Sequence, residues 1–544
     1  MTRWEHILVE RGLITEAQLN QATANAVRNG KQLALQLVDE GYIEEEQLLK
    51  ILAEYYGIKF LNLRDIAIDE SAIRSVPARI AVHYSVAPVK LENGVLTLAV
   101  NNPLETAAIE DIETNLGFRV ERVLACRRDI REALQKYYGV GADTVERILS
   151  ETDRREEPMI ETSSDLEKMA EDASVIRLVN ELLSNAITDR ATDIHFEPHS
   201  DGISIRRRID GILYDASVPR NMRFLFPAIV SRIKLIAGLN IVEKRLPQDG
   251  RARVRLGSRD YDLRVSIIPA MYGEDVVIRI LPTSMLFDLS SLGFSEKHLQ
   301  MINEIIAKPH GILFVTGPTG SGKSTTLYAC LSKLNTRDRK IITIEDPVEY
   351  ELRGVIQTQV NPAIGLTFAR ALRSMLRHDP DVMMIGEVRD HETAEIAIQT
   401  ALTGHLVLST LHTNDSASAA VRLIDMGIEP YLITSTVLVF IAQRLVRKIC
   451  PECKTRVEEQ GKIFFRGRGC RKCNLSGYYG RTAISEFLPL LPEIRELILN
   501  RASAAVIRKK ADSMQLGNLL QDGMDKVEKG ITTPEEVLRV VTYD

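Results

Sequence analysis

The chain has 544 residues, of which 45% are hydrophobic and 26% charged, and its formal net charge is -5. At roughly 150 residues per domain this predicts about three or four globular domains. The mild acidity argues against a dedicated nucleic-acid binder, whose binding domain is usually strongly basic. Met1-Thr2-Arg3-Trp4-Glu5-His6 lacks the basic start and apolar core of a secretory signal. The apolar stretch Tyr431 to Ala442 is too short to span a bilayer and carries Thr434, Ser435 and Thr436. These features predict a cytoplasmic protein without a membrane-spanning helix.

Residues 1–60 contain a repeat. Leu8-Val9-Glu10-Arg11-Gly12-Leu13-Ile14 returns as Leu37-Val38-Asp39-Glu40-Gly41-Tyr42-Ile43, and Leu19 returns as Leu48. Each copy predicts a helix stopped by glycine and then a second helix with apolar residues three to four apart. Residues 61–140 predict a small α+β unit, with a strand at Val95–Val100 and helices at Ala107–Leu116 and Arg128–Tyr138. An acidic connector is expected over 141–172. Glu146 to Asp172 holds ten acidic and four basic residues, with Pro158 and few large apolar side chains, a flexible and solvated composition. Order resumes with the apolar helical face of Val175, Val179, Leu182 and Ala186, followed by strands at Gly202–Ile209 and Asp260–Ile268. Residues 173–288 thus predict a compact α+β domain. From 289 onward short apolar strands alternate with helices, the pattern of a parallel sheet.

The strand Gly311–Val315 runs into Gly317-Pro318-Thr319-Gly320-Ser321-Gly322-Lys323-Ser324-Thr325, and the helical run Leu327–Leu334 follows. This is G-x-x-x-x-G-K-[ST] in its strand–loop–helix setting. Glycines let backbone N–H groups turn inward on phosphate oxygens, and the helix N-terminus adds partial positive charge. Lys323 reaches the β and γ phosphates of ATP, and the Ser324 hydroxyl ligates Mg²⁺. Three more strands bring polar groups to their ends: Ile341–Ile344 into Glu345-Asp346-Pro347-Val348-Glu349, Val382–Ile385 into Gly386-Glu387, and Gly404–His412. Ligands sit at the carboxyl ends of such strands. Glu387 is therefore expected to position Mg²⁺ and water, and Glu345 to play a base-like part with Glu349 as substitute. His405 and His412 are expected to sense the γ-phosphate or report across a subunit boundary.

Cys450-Pro451-Glu452-Cys453 and Cys470-Arg471-Lys472-Cys473 fit the C-x₂-C-x₁₅₋₂₀-C-x₂-C zinc pattern. Four thiolates close a tetrahedral shell, so Zn²⁺ here is structural. Cys126 and Cys330 are expected to be small core residues.

Together these residues resemble the type II secretion and type IV pilus assembly ATPases. The likeness rests on the P-loop, on Thr343 to Glu349, on Gly386-Glu387-Val388-Arg389-Asp390, on Leu402 to His405 and Leu411 to Asn414, and upstream on Asp193 to Pro198, Arg206 to Gly211 and Pro247 to Arg251. It implies an α/β architecture: a RecA-like ATPase domain (289–544), a preceding PAS-like domain (173–288), and the N-terminal helical repeat with its α+β companion. It further implies a zinc subdomain at 446–482, a helical region at 489–544, and a homo-hexamer in which a neighbour's Arg206, Arg208 or Arg264 completes each site. The tetracysteine motif and long N-terminal region point to assembly rather than pilus retraction. The family also implies that the N-terminal region docks on an inner-membrane platform protein. Residues 1–60 resemble a module that binds cyclic di-GMP in some members through Arg-Leu-Gly elements. Arg3-Trp4-Glu5 and Gln32-Leu33-Ala34 stand there instead, so weak or lost binding is expected. The alternatives are a DNA-translocating RecA-like ring, disfavoured because basic stretches interleaved with aromatics are missing, and a nucleotide switch that does no work.

Overall fold

The computed structural model describes residues 3–139, 141–145, 148, 170–256, 259–283, 288–459 and 462–541. Most of the acidic connector expected over 141–172 lies outside them. The chain divides into two compact units, Met1–Leu281 and Pro282–Asp544.

The first unit opens with helices Arg3–Glu10, Glu16–Asn29, Leu33–Asp39 and Glu45–Tyr56. The sequence repeat is a structural one. Leu8 and Leu37 are both fully buried, and the pairs Ile14/Ile43 and Leu19/Leu48 are buried together. Thr15 caps the second helix by accepting the Gln18 N–H, Gln18 reciprocates, and Gly30 (φ 64°) ends it. A three-stranded sheet follows, built of β1 (Ala87–Glu92), β2 (Val95–Val100) and β3 (Arg119–Leu124), with helices Ala107–Leu116 and Arg127–Tyr137. Strands β1 and β3 and the short helices Glu70–Ser75 and Ala78–His83 go beyond the sequence reading. One continuous core runs from Trp4 to Leu134, so repeat and sheet pack as a single body. The rest of the unit is a six-stranded sheet in the order β6 (Ile212–Asp215), β5 (Gly202–Ile209), β4 (Ala191–His199), β9 (Gly273–Pro282), β8 (Arg259–Ala270), β7 (Gln248–Leu256). Helices Ala173–Thr188 and Phe226–Ala237 contribute to its core.

The second unit is built on a seven-stranded sheet. Its order is β12 (Ile356–Gln359), β11 (Ile341–Glu345), β13 (Val382–Ile385), β14 (Leu406–Leu411), β10 (Gly311–Thr316), β15 (Val437–Ile449), β18 (Tyr478–Pro489). All pairings are parallel except the last, where β18 runs antiparallel to β15. Successive side chains leave a strand on opposite faces, and both faces here are covered. Ile312 and Phe314 enter one core while Leu313 and Val315 enter the other, and Val382/Met384 and Met383/Ile385 divide in the same way. Continuous apolar runs are therefore buried strands covered on both faces, as parallel sheets require. A hairpin of β16 (Lys454–Glu459) and β17 (Lys462–Gly467) is inserted in the chain between β15 and β18. Helices Pro492–Leu499, Ala504–Ser513, Leu519–Glu528 and Pro534–Val540 close the chain. Among the described residues no helix is long and apolar enough to cross a membrane.

Candidate active site

The P-loop leaves the carboxyl end of β10, which lies between β14 and β15. Its glycines are required by geometry. Gly317, Gly320 and Gly322 all have positive φ, and a Cβ on Gly317 would stand 2.6 Å from the Gln443 carbonyl oxygen and from Ser321 Oγ. Gly322 precedes helix Lys323–Leu334, whose first N–H groups have no carbonyl partners inside the helix and so point at an incoming anion. Pro318, Thr319 and Gly320 are exposed, as is Ser324, while Thr325 is half-buried. Ser321 is buried, and its Oγ has no hydrogen-bond partner among the described residues. Lys323 Nζ donates to the Gly317 and Pro318 carbonyls at 2.7 and 3.1 Å. Burial brings the Lys323 ammonium down to about 8; the negative charge of Glu387 resists this and the Arg444 guanidinium adds to it. The loop thus offers a buried cation, an orphan hydroxyl and inward N–H groups, a donor set that fits the phosphates of ATP, with exposed Ser324 available to Mg²⁺.

Glu387 follows β13 and His412 follows β14, and the structure brings them together. His412 Nε2 lies 3.1 Å from one Glu387 oxygen, and Arg389 Nη2 lies 2.6 Å from the other. Glu345, expected to play the base-like part, turns inward. It is 3% exposed; its Oε2 accepts the Tyr328 hydroxyl, and its Oε1 accepts Thr343 Oγ1 at 2.6 Å and Gln357 Nε2 at 3.1 Å. Glu349 is half-buried. His405 also departs from its expected place as a phosphate sensor. It precedes β14, its carbonyl accepts the Gly311 N–H at the start of β10, and its ring meets the Thr400 carbonyl and Thr403 Oγ1. That is the amino end of the sheet, about 20 Å of extended strand from the end where the P-loop begins. Arg206 and Arg208 lie on β5 of the first unit. Arg206 pairs with Glu197 at 2.6 Å, and Arg208 donates to the Gly211 carbonyl at 3.0 Å. Arg264, on β8, lines a cavity of about 370 Å³ with Asp193, Asp249, Arg251 and Arg279.

Three features of the site escaped the sequence reading. Gln443 on β15 donates to the Ser321 carbonyl at 2.9 Å and accepts Thr326 Oγ1 at 2.7 Å, so it fixes the P-loop from beneath. Arg444 beside it donates to the Asn414 carbonyl at 2.8 Å. Thr316 Oγ1 lies 2.7 Å from Thr413 Oγ1. The available signal was the Gln443-Arg444 pair, polar residues that interrupt an apolar strand.

Cys450, Cys453, Cys470 and Cys473 converge, with their sulfurs all within 4.8 Å of one another. The Cys450–Cys470, Cys453–Cys473 and Cys470–Cys473 sulfur separations are 3.6, 3.8 and 3.7 Å. A tetrahedral ion with Zn–S bonds of about 2.3 Å requires sulfur–sulfur edges of about 3.8 Å. The donor set therefore fits Zn²⁺. The Cys470 and Gly477 N–H groups donate to Cys473 Sγ. Cys330 is fully buried and Cys126 half-buried, and burial pushes both thiols up to about 12.

Residues 168–539 match the family described as Type II/IV secretion system protein, and residues 56–144 match the MshEN domain. The type IV pilus assembly ATPase PilB of Myxococcus xanthus is 42% identical, over 98% of each chain. The type II secretion system protein E of Xanthomonas campestris is 40% identical, over 99% of this chain and 98% of its own. Among solved structures, the ATPase DotB of Legionella pneumophila superposes with a TM-score of 0.51 at 25% identity, covering 66% of this chain and 94% of that one. With the P-loop in place, these similarities establish that the chain belongs to the type II secretion and type IV pilus assembly ATPases.

Proposed function

We propose that this protein is a homo-hexameric motor that hydrolyses ATP to drive assembly of pilus or pseudopilus subunits. The observation that carries the reading is the buried P-loop lysine, held by the Gly317 and Pro318 carbonyls at the carboxyl edge of the sheet, with Glu387 and His412 paired at the same edge. In this reading Gly317 to Thr325 cradle the triphosphate, Lys323 neutralises the β and γ oxygens, and Ser324 ligates Mg²⁺. Glu387 orients the attacking water and His412 holds Glu387. Because three donors occupy Glu345, the half-buried Glu349 takes the base-like role. Arg206, Arg208 and Arg264 reach the phosphates of a neighbouring subunit, where such arginines are worth about 10³ to 10⁵ in rate. His405, remote from its own P-loop, is left with the subunit boundary. Zn²⁺ on the four cysteines holds the hairpin subdomain together. The test is the ATPase rate per subunit against protein concentration, for wild type and Glu387→Gln. A rate that climbs with concentration and falls at least about a hundredfold in the variant, a loss typical of a removed transition-state group, supports the motor. A flat rate indifferent to the substitution refutes it.

The N-terminal region serves, in the same proposal, as the dock for an inner-membrane platform protein, placing a cytoplasmic ATPase at the membrane. Deleting residues 1–140 should release the protein from membranes and leave nucleotide binding intact; persistent membrane association would overturn this. Cyclic di-GMP binding by the repeat is weak or lost in this reading, because Glu5 and Ala34 stand where glycine lets a dinucleotide approach the backbone, and Gln32 stands where one copy has its arginine.

A further inference from the structure

Helix Lys323–Leu334, which carries the P-loop, packs Tyr328 into the interior at 1% exposure. A phenylalanine would satisfy the packing there, and a hydroxyl in a dry interior is costly unless it is used. This one is used. It donates to Glu345 Oε2 at the end of β11, and it accepts the N–H groups of Glu349 and Tyr350 at 3.2 and 3.4 Å. The Tyr328 and Tyr350 rings meet edge to face at 5.9 Å. Gln357 closes the other side: its Nε2 donates to Glu345 Oε1 at 3.1 Å and to the Tyr350 carbonyl at 2.9 Å, and its Oε1 accepts the Leu352 N–H at 2.7 Å.

We infer that Tyr328 is a positioning residue for ATP hydrolysis, its hydroxyl fixing the segment Glu345–Tyr350 to the helix that bears Lys323. Tyr328 sits five residues beyond Lys323, about 7.5 Å along the helix axis. A phosphate that draws on Lys323 therefore pulls on a rod whose second turn holds the Glu345 carboxylate and the backbone of Glu349. Burial and the adjacent Glu345 charge keep the phenol protonated, so it remains a donor at every working pH. Glu345 acts as the pivot of this clamp.

The inference rests on the ATPase reading, and one experiment separates the two. Full-length wild type, Tyr328→Phe, Glu345→Gln and the double variant are compared for kcat, KM and Mg²⁺–ADP affinity. Tyr328→Phe should lower kcat at least about tenfold, the scale of one lost hydrogen bond to a charged group, with KM and ADP affinity within about twofold. In the Glu345→Gln background the same substitution should change kcat less than about twofold, since the two residues act as one unit. A kcat within about twofold of wild type, or losses that multiply in the double variant, overturns the clamp. Wild type without turnover refutes the ATPase reading instead. If Tyr328→Phe does not yield folded protein, Gln357→Leu at the half-buried side of the clamp decides by the same split between kcat and KM.

Discussion

Nucleotide binding should take up a proton above pH 8, and Lys323 is the reason. Its side chain is buried beneath the P-loop, where its ammonium donates to two carbonyls. Burial holds it at about 8 against an ordinary 10.5. That difference is worth about 3 kcal/mol of extra cost for charging the lysine in the free protein. Phosphates at the loop supply the missing counter-charge and return the group toward its ordinary value. The sign follows. Well below pH 8 the lysine is charged in both states and almost nothing is taken up. Between about 8 and 10.5 the free lysine is largely neutral and the bound one charged. At pH 8.5 the expected uptake is roughly three quarters of a proton per site, and at pH 7 roughly a tenth. Calorimetric titration with Mg²⁺–ADP in buffers of different ionisation enthalpy reads the number directly as a slope. Lys323→Arg keeps the charge but never deprotonates in this range, so any binding it retains should show no slope. An equal slope at pH 7 and 8.5 in wild type, or one that survives in Lys323→Arg, would refute the reasoning.

Two other measurements bear on regions away from the P-loop. Purified protein should carry one zinc per chain, and chelation or Cys453→Ser should expose the hairpin Lys454–Gly467 to proteolysis while nucleotide binding persists. Structural zinc contributes about 10 to 16 kcal/mol to such small folds, so unchanged proteolysis in zinc-free protein would show that the four thiols need no metal. Calorimetry with cyclic di-GMP should give no saturable binding in the low micromolar range, and a sub-micromolar dissociation constant would show that Glu5, Gln32 and Ala34 still admit the dinucleotide.

Much of the second unit was legible because its signals are local. The strand Val382–Ile385 and the P-loop helix follow from apolar runs and glycine placement, and the repeat in residues 1–60 follows from Leu8 and Leu37 standing at equivalent buried positions. Other features depend on what a strand does to its flanks. His405 and His412 bracket Leu406–Leu411, and a strand of six residues carries its two flanks to opposite edges of the sheet. Giving both the same expected role overlooked that length. The apolar stretch from Tyr431 hid a change of element: Pro430–Thr436 is helix and Val437–Ile449 is strand, and the β-branched Val437 and Val439 mark the switch. The burial of Glu345 was not legible at all. Sequence places a carboxylate at a strand end, but only tertiary contacts with Tyr328 and Gln357 decide that its oxygens turn inward.

The Glu387–His412 pair depends on polar groups that neither residue touches. His412 sits in a loop with little apolar content of its own, so hydrogen bonds from below must fix its position relative to Lys323. Thr316, the last residue of β10, donates through Oγ1 to the Leu411 or Thr413 carbonyl and accepts the Thr413 N–H at 2.9 Å. Arg444 spans to the Asn414 carbonyl, and Asp415 caps helix Ser416–Asp425 while pairing with Arg508 at 2.7 Å. Burial pulls Arg444 down and pushes Glu486 up, and Glu486 accepts the Ser416 N–H at 3.0 Å. Charges in so dry a place need their hydrogen-bond partners in contact, and losing one such bond costs about 1.5 to 3 kcal/mol. These partners belong to different elements: β10, β15, β18, the loop after β14 and helix Ala504–Ser513. Moving the loop after His412 would therefore break hydrogen bonds to the buried Arg444 and Glu486. The loop keeps its register against Lys323 because the alternative is electrostatically expensive, even though its own packing is slight.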